Sequence, residues 1–245
     1  MQLRMCNWRL NMLSDGVEIT SRSGGRFGAY LGKPTTDSAP IVVIAQEIFG
    51  ITPFIRETVE WLVGAGFGCV CPDLYWRQAP NIELDANVPS EREQALALFR
   101  DFDMEAGVND LSCAIEYARA LPFSNGRVAV VGYCLGGALA FDVAARSLAD
   151  CSIGYYGVGL EKKVSLVPAI TRPAMFHMGT KDHYVTEEAR SILEEHFGRN
   201  KNLSLHWYPV GHSFARSSSP NFDQAATTVA NARTLELLAM LKDPS

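Results

Sequence analysis

Near-continuous apolar runs recur along the chain, and between them apolar residues return every three or four positions. The runs are IVVIA (41–45), FGCVCPD (67–73), RVAVVGY (127–133), CSIGYYG (151–157), AMFHMG (174–179) and LSLHWYP (203–209). Runs of this length and richness are carried by strands buried on both faces, as in a parallel sheet. The intervening periodicity predicts helices over about 52–63, 90–102, 105–121, 186–196 and 221–241, and one directly after 134. Thr52-Pro53 reads as N-cap and first helical residue. Ser90-Glu91-Arg92-Glu93 reads as a capping box. GVEITS and RFGAYLG, around a Ser-Gly-Gly turn, predict two further short strands, and 33–40 a loop. Strands alternating with helices predict an α/β fold, a mostly parallel central sheet with helices on both faces. Ligands of such sheets bind beyond the carboxyl ends of the strands, so the residues that follow each strand are the candidates for chemistry.

Composition narrows the classes. The 245 residues suffice for one large core, and 47% hydrophobic content excludes a disordered or fibrous chain. A net charge of −5 argues against a general nucleic-acid binder. An anionic ligand would have to be held by local arginines. Six cysteines, at 6, 69, 71, 113, 134 and 151, show no CxxC pairing. They read as free thiols of a cytoplasmic protein. Cys69 and Cys71 read as buried strand residues with their thiols expected on opposite sheet faces. No apolar run approaches the roughly 18 residues of a membrane span, and MQLRMCNWRLNML lacks the apolar core of a signal peptide. Residues 1–11 read as a poorly ordered extension ahead of a single domain over 12–245.

The sharpest motif is Gly132-x-Cys134-x-Gly136, between a predicted strand and a predicted helix. This is the spacing of a nucleophile elbow, with cysteine where many hydrolases carry serine. A buried structural cysteine is the bland alternative. Folds with this elbow order their triad as nucleophile, acid, histidine. Asp182 follows the strand AMFHMG, where the acid belongs, and His212 follows the last strand, where the base belongs. His177 and His206 lie inside strands, His196 in a last helical turn, and His183 too early. None of the five histidines shows metal-ligand spacing, so neither metal nor cofactor is expected. Glu47 ends a buried strand, which favours a site role over a solvated carboxylate.

Together these stretches resemble the dienelactone hydrolase (carboxymethylenebutenolidase) family. The resemblance rests on IAQEIFGI (44–51), CPDLYWRQAP (71–80), EREQ (91–94), FDMEAGVNDL (102–111), VGYCLGGALAF (131–141), GYYGVGLEK (154–162), FHMGTKDHYV (176–185) and GHSFAR (211–216). It implies an α/β-hydrolase fold and hydrolysis of dienelactone to maleylacetate, a step of bacterial chloroaromatic degradation. It implies Cys134 as nucleophile, His212 as general base and acid, and Asp182 as the carboxylate that orients it. It further implies Glu47 beside the thiol and paired at rest with Arg216, Arg92 and Arg216 on the substrate carboxylate once it binds, and Ser213 next to them. The backbone N–H groups of Ile48 and Leu135 would form the oxyanion hole. The partner is then a small anionic lactone, met by a monomer. One position departs: where the family pattern has a tyrosine one turn after the first arginine, this chain has Leu96. That leaves the pocket more apolar and bears on ring substituents and isomer preference. Cysteine suits an enol lactone, whose leaving enolate is stable and needs little acid assistance. Two other classes stand beside this one: a broader carboxylesterase or peptidase, and a non-catalytic carboxylate-binding module.

Overall fold

A computed structural model describes residues 13–242. Eight strands form one sheet in the order β1-β2-β4-β3-β5-β6-β7-β8. They are β1 (Leu13–Thr20), β2 (Arg26–Gly32), β3 (Ala39–Ala45), β4 (Gly68–Pro72), β5 (Ser124–Tyr133), β6 (Cys151–Tyr155), β7 (Ala174–Gly179) and β8 (Leu203–Tyr208). β1 and β2 run antiparallel at one edge, and β3 to β8 are parallel to one another. The helices are α1 (Pro53–Gly64), α2 (Pro89–Arg100), α3 (Met104–Arg119), α4 (Leu135–Ala145), α5 (Glu187–Phe197) and α6 (Gln224–Ala239). The extension expected over residues 1–11, and Cys6 with it, lie outside the described residues.

Five of the six apolar runs became the buried sheet centre, whereas LSLHWYP became the edge strand β8, whose residues are mostly only partly buried because no strand covers its outer side. Every residue of β3 is buried, and its side chains alternate between two layers. Ile41 and Val43 pack with α3 and α4 residues such as Leu111 and Leu139. Val42 and Ile44 pack with Val59 and Leu62 of α1 and Leu238 of α6. Helices therefore cover both faces, as parallel strands require. Cys69 and Cys71 both join the α1 side of the core. The expected opposite faces are thus corrected, because residues two apart in a strand share a face.

Helix starts were less legible. Thr52 occupies the N-cap of α1 and Pro53 opens it, but the threonine hydroxyl makes no capping bond. The capping box at Ser90 does not form. α2 begins one residue earlier at Pro89, with Val88 as N-cap. The fixed φ of proline suits a first helical position. Glu91, in the first turn, accepts the Asp85 N–H at 2.5 Å and ties the helix start to the preceding loop. The 3-10 segment Leu160–Ala169 was not predicted; Pro168 lies within it.

Candidate active site

Cys134 stands between β5 and α4 with φ 54° and ψ −110°, a conformation L-residues rarely adopt. The flanking glycines make the turn possible. A Cβ on Gly132 would stand 1.9 Å from the Gly136 carbonyl oxygen, and one on Gly136 would stand 2.0 Å from that of Ala45. Two backbone bonds fasten the elbow to neighbouring strands. The Gly136 N–H donates to the Gln46 carbonyl at 3.0 Å, and the Cys134 N–H to that of Tyr155 at 3.0 Å.

The ends of β7 and β8 bring the acid and the base to this corner. His212 Nε2 lies 3.2 Å from Cys134 Sγ, and His212 Nδ1 donates to Asp182 Oδ2 at 2.7 Å. Asp182 Oδ1 accepts the Tyr184 N–H at 2.9 Å, which holds the carboxylate in place. Asp182 and His212 are buried. Burial works against a charge on His212, but a Cys134 thiolate and the Asp182 carboxylate outweigh it and raise the histidine pKa to about 10. Imidazolium is therefore the state that faces a thiolate.

Beside this chain lies a buried ion pair. Arg216 Nη1 donates to Glu47 Oε2 at 2.8 Å, with side-chain exposures of 9% and 1%. At such depth an unpaired charge would be costly, so each group depends on the other. Burial opposes the Arg216 charge, yet Glu47 outweighs it and raises the guanidinium pKa further. Glu47 Oε1 and Arg216 Nε have no partner among the described residues. The pair thus keeps capacity for a second acceptor and a second donor.

A cavity of about 280 Å³ joins these groups, and Glu47, Cys134, His212, Ser213, Arg216 and Arg92 all line it. Arg92, on α2, is fixed at the wall by donating Nε and Nη2 to the Ala86 carbonyl at 2.9 and 2.7 Å. Ser213 adopts φ 61°, a second strained position beside the base. Ile48 lines the same cavity. Neither its N–H nor that of Leu135 bonds to an acceptor among the described residues. Leu96 also lines the wall, with Phe99 one turn on. All nine residues expected at the site therefore lie in or directly beside one pocket. A larger cavity of about 360 Å³ adjoins it across Arg216 but does not reach Cys134.

Two neighbours escaped sequence reasoning. Tyr156, fully buried at φ 40°, sets its ring edge-on to His212 at 5.1 Å. It directly follows β6, so the strand-end rule could have found it. Asn221 donates Nδ2 to the His212 carbonyl at 3.0 Å and steadies the loop of the base. Nothing in its local sequence marks it. The other histidines keep the places expected of them. His177 is fully buried, bonded to Tyr208 and Thr234, and burial lowers its pKa. His183 lines the cavity but is not the residue that faces the thiol.

Known proteins share this arrangement of sequence. The chain matches the Dienelactone hydrolase family over residues 27–241. It is 53% identical to a carboxymethylenebutenolidase of Pseudomonas sp. (strain P51), covering 94% of this chain and 97% of that protein. It is 54% identical to a carboxymethylenebutenolidase of Pseudomonas putida, covering 94% and 98%. Among solved structures, dienelactone hydrolase from Anabaena variabilis superposes with a TM-score of 0.69 at 18% identity, over 95% of this chain and all of that one. An esterase of Pyrococcus furiosus does so at 0.72 and 15%, over 96% of each. The structures share the α/β-hydrolase fold seen here, and the sequence match across nearly the whole sheet settles the rest: the chain belongs to the dienelactone hydrolase family.

Proposed function

We propose that the protein hydrolyses dienelactone (4-carboxymethylenebut-2-en-4-olide) to maleylacetate through a cysteine nucleophile, in the breakdown of chloroaromatic compounds. The observation that carries this reading is the contact of Cys134 with His212 and of His212 with Asp182, one pocket wall away from the Glu47–Arg216 pair.

The chemistry follows from these neighbours. In the free protein Arg216 neutralises Glu47. A substrate carboxylate offers Arg216 and Arg92 a second anion, and guanidinium forks match carboxylates well. Drawn from Arg216, Glu47 becomes the stronger base and accepts the Cys134 proton. The thiolate pairs with protonated His212 and attacks the lactone carbonyl carbon. The N–H groups of Ile48 and Leu135 receive the developing oxyanion. When the tetrahedral intermediate collapses, the ring C–O bond breaks and the enolate leaves. A thioester on Cys134 remains. The enolate takes the His212 proton as it leaves, and the neutral imidazole then takes a proton from the water that attacks the thioester; the C–S bond breaks, the free acid departs, and Glu47 returns its proton to the Cys134 thiolate. Asp182 keeps Nε2 turned to the sulfur throughout. Binding of an anion is thus the activating event, and neutral esters should be turned over poorly.

The triad, the ion pair and the cavity wall are complete within one chain, so turnover needs no residue from a second copy, and action as a monomer is the reading proposed. The free cysteines Cys69, Cys71, Cys113, Cys134 and Cys151 support a cytoplasmic location. No helix among the described residues is long and apolar enough to cross a membrane. The test is a turnover screen of cis- and trans-dienelactone against neutral esters of matched leaving group, with Cys134→Ala as control. Hydrolysis of the lactones, absent in Cys134→Ala, is the expected result. Neutral esters turned over equally well would overturn the anion-activated reading, and lactone turnover surviving in Cys134→Ala would remove the cysteine from the mechanism.

A further inference from the structure

Arg92, Leu96 and Phe99 all belong to α2 and all line the active-site cavity. Their spacing of four and seven residues puts them on one helix face. At 1.5 Å per residue, Leu96 lies about 6 Å and Phe99 about 10 Å along the axis from Arg92. The face thus carries a fixed cation at one end and an apolar strip at the other. The cation cannot slide, because two bonds to the Ala86 carbonyl hold it.

Packing accounts for Phe99, which lies against the core, but not for Leu96. Ala95 is the one buried residue of α2, whereas Leu96 is 40% exposed. A lone exposed leucine needs no explanation. Leu96 is not alone, since Phe99, Phe49 and Tyr184 line the same cavity. Leu96 brings neither donor nor acceptor to that wall. A polar group set against it would lose its water without gaining a bond. An apolar group there would shed water from both surfaces.

We infer that α2 selects substrates by an apolar group about 6–10 Å from their carboxylate, and that Leu96 sets the size and polarity this group can have. The ligand class is a lactone or activated ester of a carboxylic acid that bears an alkyl or aryl substituent at that distance. Analogues that are unsubstituted or hydroxylated there are poorer ligands. This rests on the carboxylate-binding site proposed above and adds to it a second point of recognition.

The test has a binding arm and a kinetic arm. In the Cys134→Ala protein, calorimetry compares 3-phenylpropenoate with propenoate, which share a carboxylate and differ in the apolar group. The phenyl acid should bind at least tenfold tighter. Adding Leu96→Gln should cut that preference about tenfold, the scale on which a hydrophobic contact discriminates. Propenoate affinity should move less than twofold, and Leu96→Met should keep the preference. In the intact enzyme, Leu96→Gln should lower kcat/KM for a ring-alkylated lactone about tenfold more than for the unsubstituted lactone, through KM. A preference indifferent to Leu96→Gln, or an equal loss on both acids, would overturn the inference. Preserved binding discrimination with no lactone turnover by the wild type would sink the proposed reaction while leaving the α2 selection standing.

Discussion

Glu47 and His212 divide the work of a base between them. Glu47 is held by Arg216 until an anion arrives, whereas His212 touches the sulfur from the outset. Glu47→Gln keeps the shape but cannot accept a proton. Acylation of Cys134 by the lactone should slow about a hundredfold or more, while binding of a non-reactive carboxylate changes less. Single-turnover kinetics would read this, and acylation at the wild-type rate would mean that His212 takes the proton alone. The raised pKa of His212 also has a consequence for stability. With the Cys134 thiolate facing it, the folded histidine titrates at about 10. A proton passed from the thiol to the imidazole leaves the folded count unchanged, so this pair retains one proton up to that value. The unfolded chain loses the last of the two protons at about 8.5, the ordinary thiol value. Between about 8.5 and 10 the folded state therefore holds more protons, and stability falls as pH rises. Urea denaturation of the wild type and His212→Gln across that range should show the two curves converging at the alkaline end; parallel curves would contradict the pairing.

The elbow is where one element limits the next. β5 ends in Gly132-Tyr133, α4 begins at Leu135, and the strained Cys134 joins them. Gly136→Ala pushes a methyl group to 2.0 Å from the Ala45 carbonyl, a backbone atom that cannot turn aside. Overpacking of this kind costs roughly 1–3 kcal/mol and upwards, and here it also tilts the nucleophile. Gly198→Ala is a milder control, since its Cβ would stand 3.0 Å from the Glu194 carbonyl at a helix end. Denaturation midpoints should drop clearly more for Gly136→Ala, with kcat falling alongside. Equal midpoints for the two variants would show the elbow to be looser than its contacts indicate.

At the scale of the molecule, the site is a property of the whole parallel sheet. Glu47 follows β3, Cys134 follows β5, Asp182 follows β7 and His212 follows β8. The strands between them are in register, with Ala45 opposite Gly132 and Tyr133 opposite Tyr155. Four loops are thus fixed by one set of ladder bonds across a fully buried centre. Loss of activity in urea should therefore share its midpoint with loss of far-ultraviolet circular dichroism. Activity lost at clearly lower urea would show that the β7–β8 end, with the acid and the base, opens before the centre does.

Much of this was readable in the sequence alone, for a physical reason. Buried parallel strands need continuous apolar runs, so IVVIA and RVAVVGY marked themselves, and strand ends mark where chemistry can sit. The elbow was legible because its backbone geometry tolerates only glycine at 132 and 136. The order of Cys134, Asp182 and His212 followed from the elbow. What the sequence could not decide were interactions between residues far apart in the chain. The pairing of Glu47 with Arg216 spans 169 positions and was legible only through the family resemblance, not from any local pattern, and the Asn221 support of His212 was not legible at all. Local signals also lost to context at α2. Pro89, rather than the apparent capping box, set where the helix starts, and the preceding loop is tied to it through Glu91. Burial is likewise a tertiary quantity. It decided that Arg216 is locked to Glu47 while Leu96, only a turn from Arg92, stays open to a ligand.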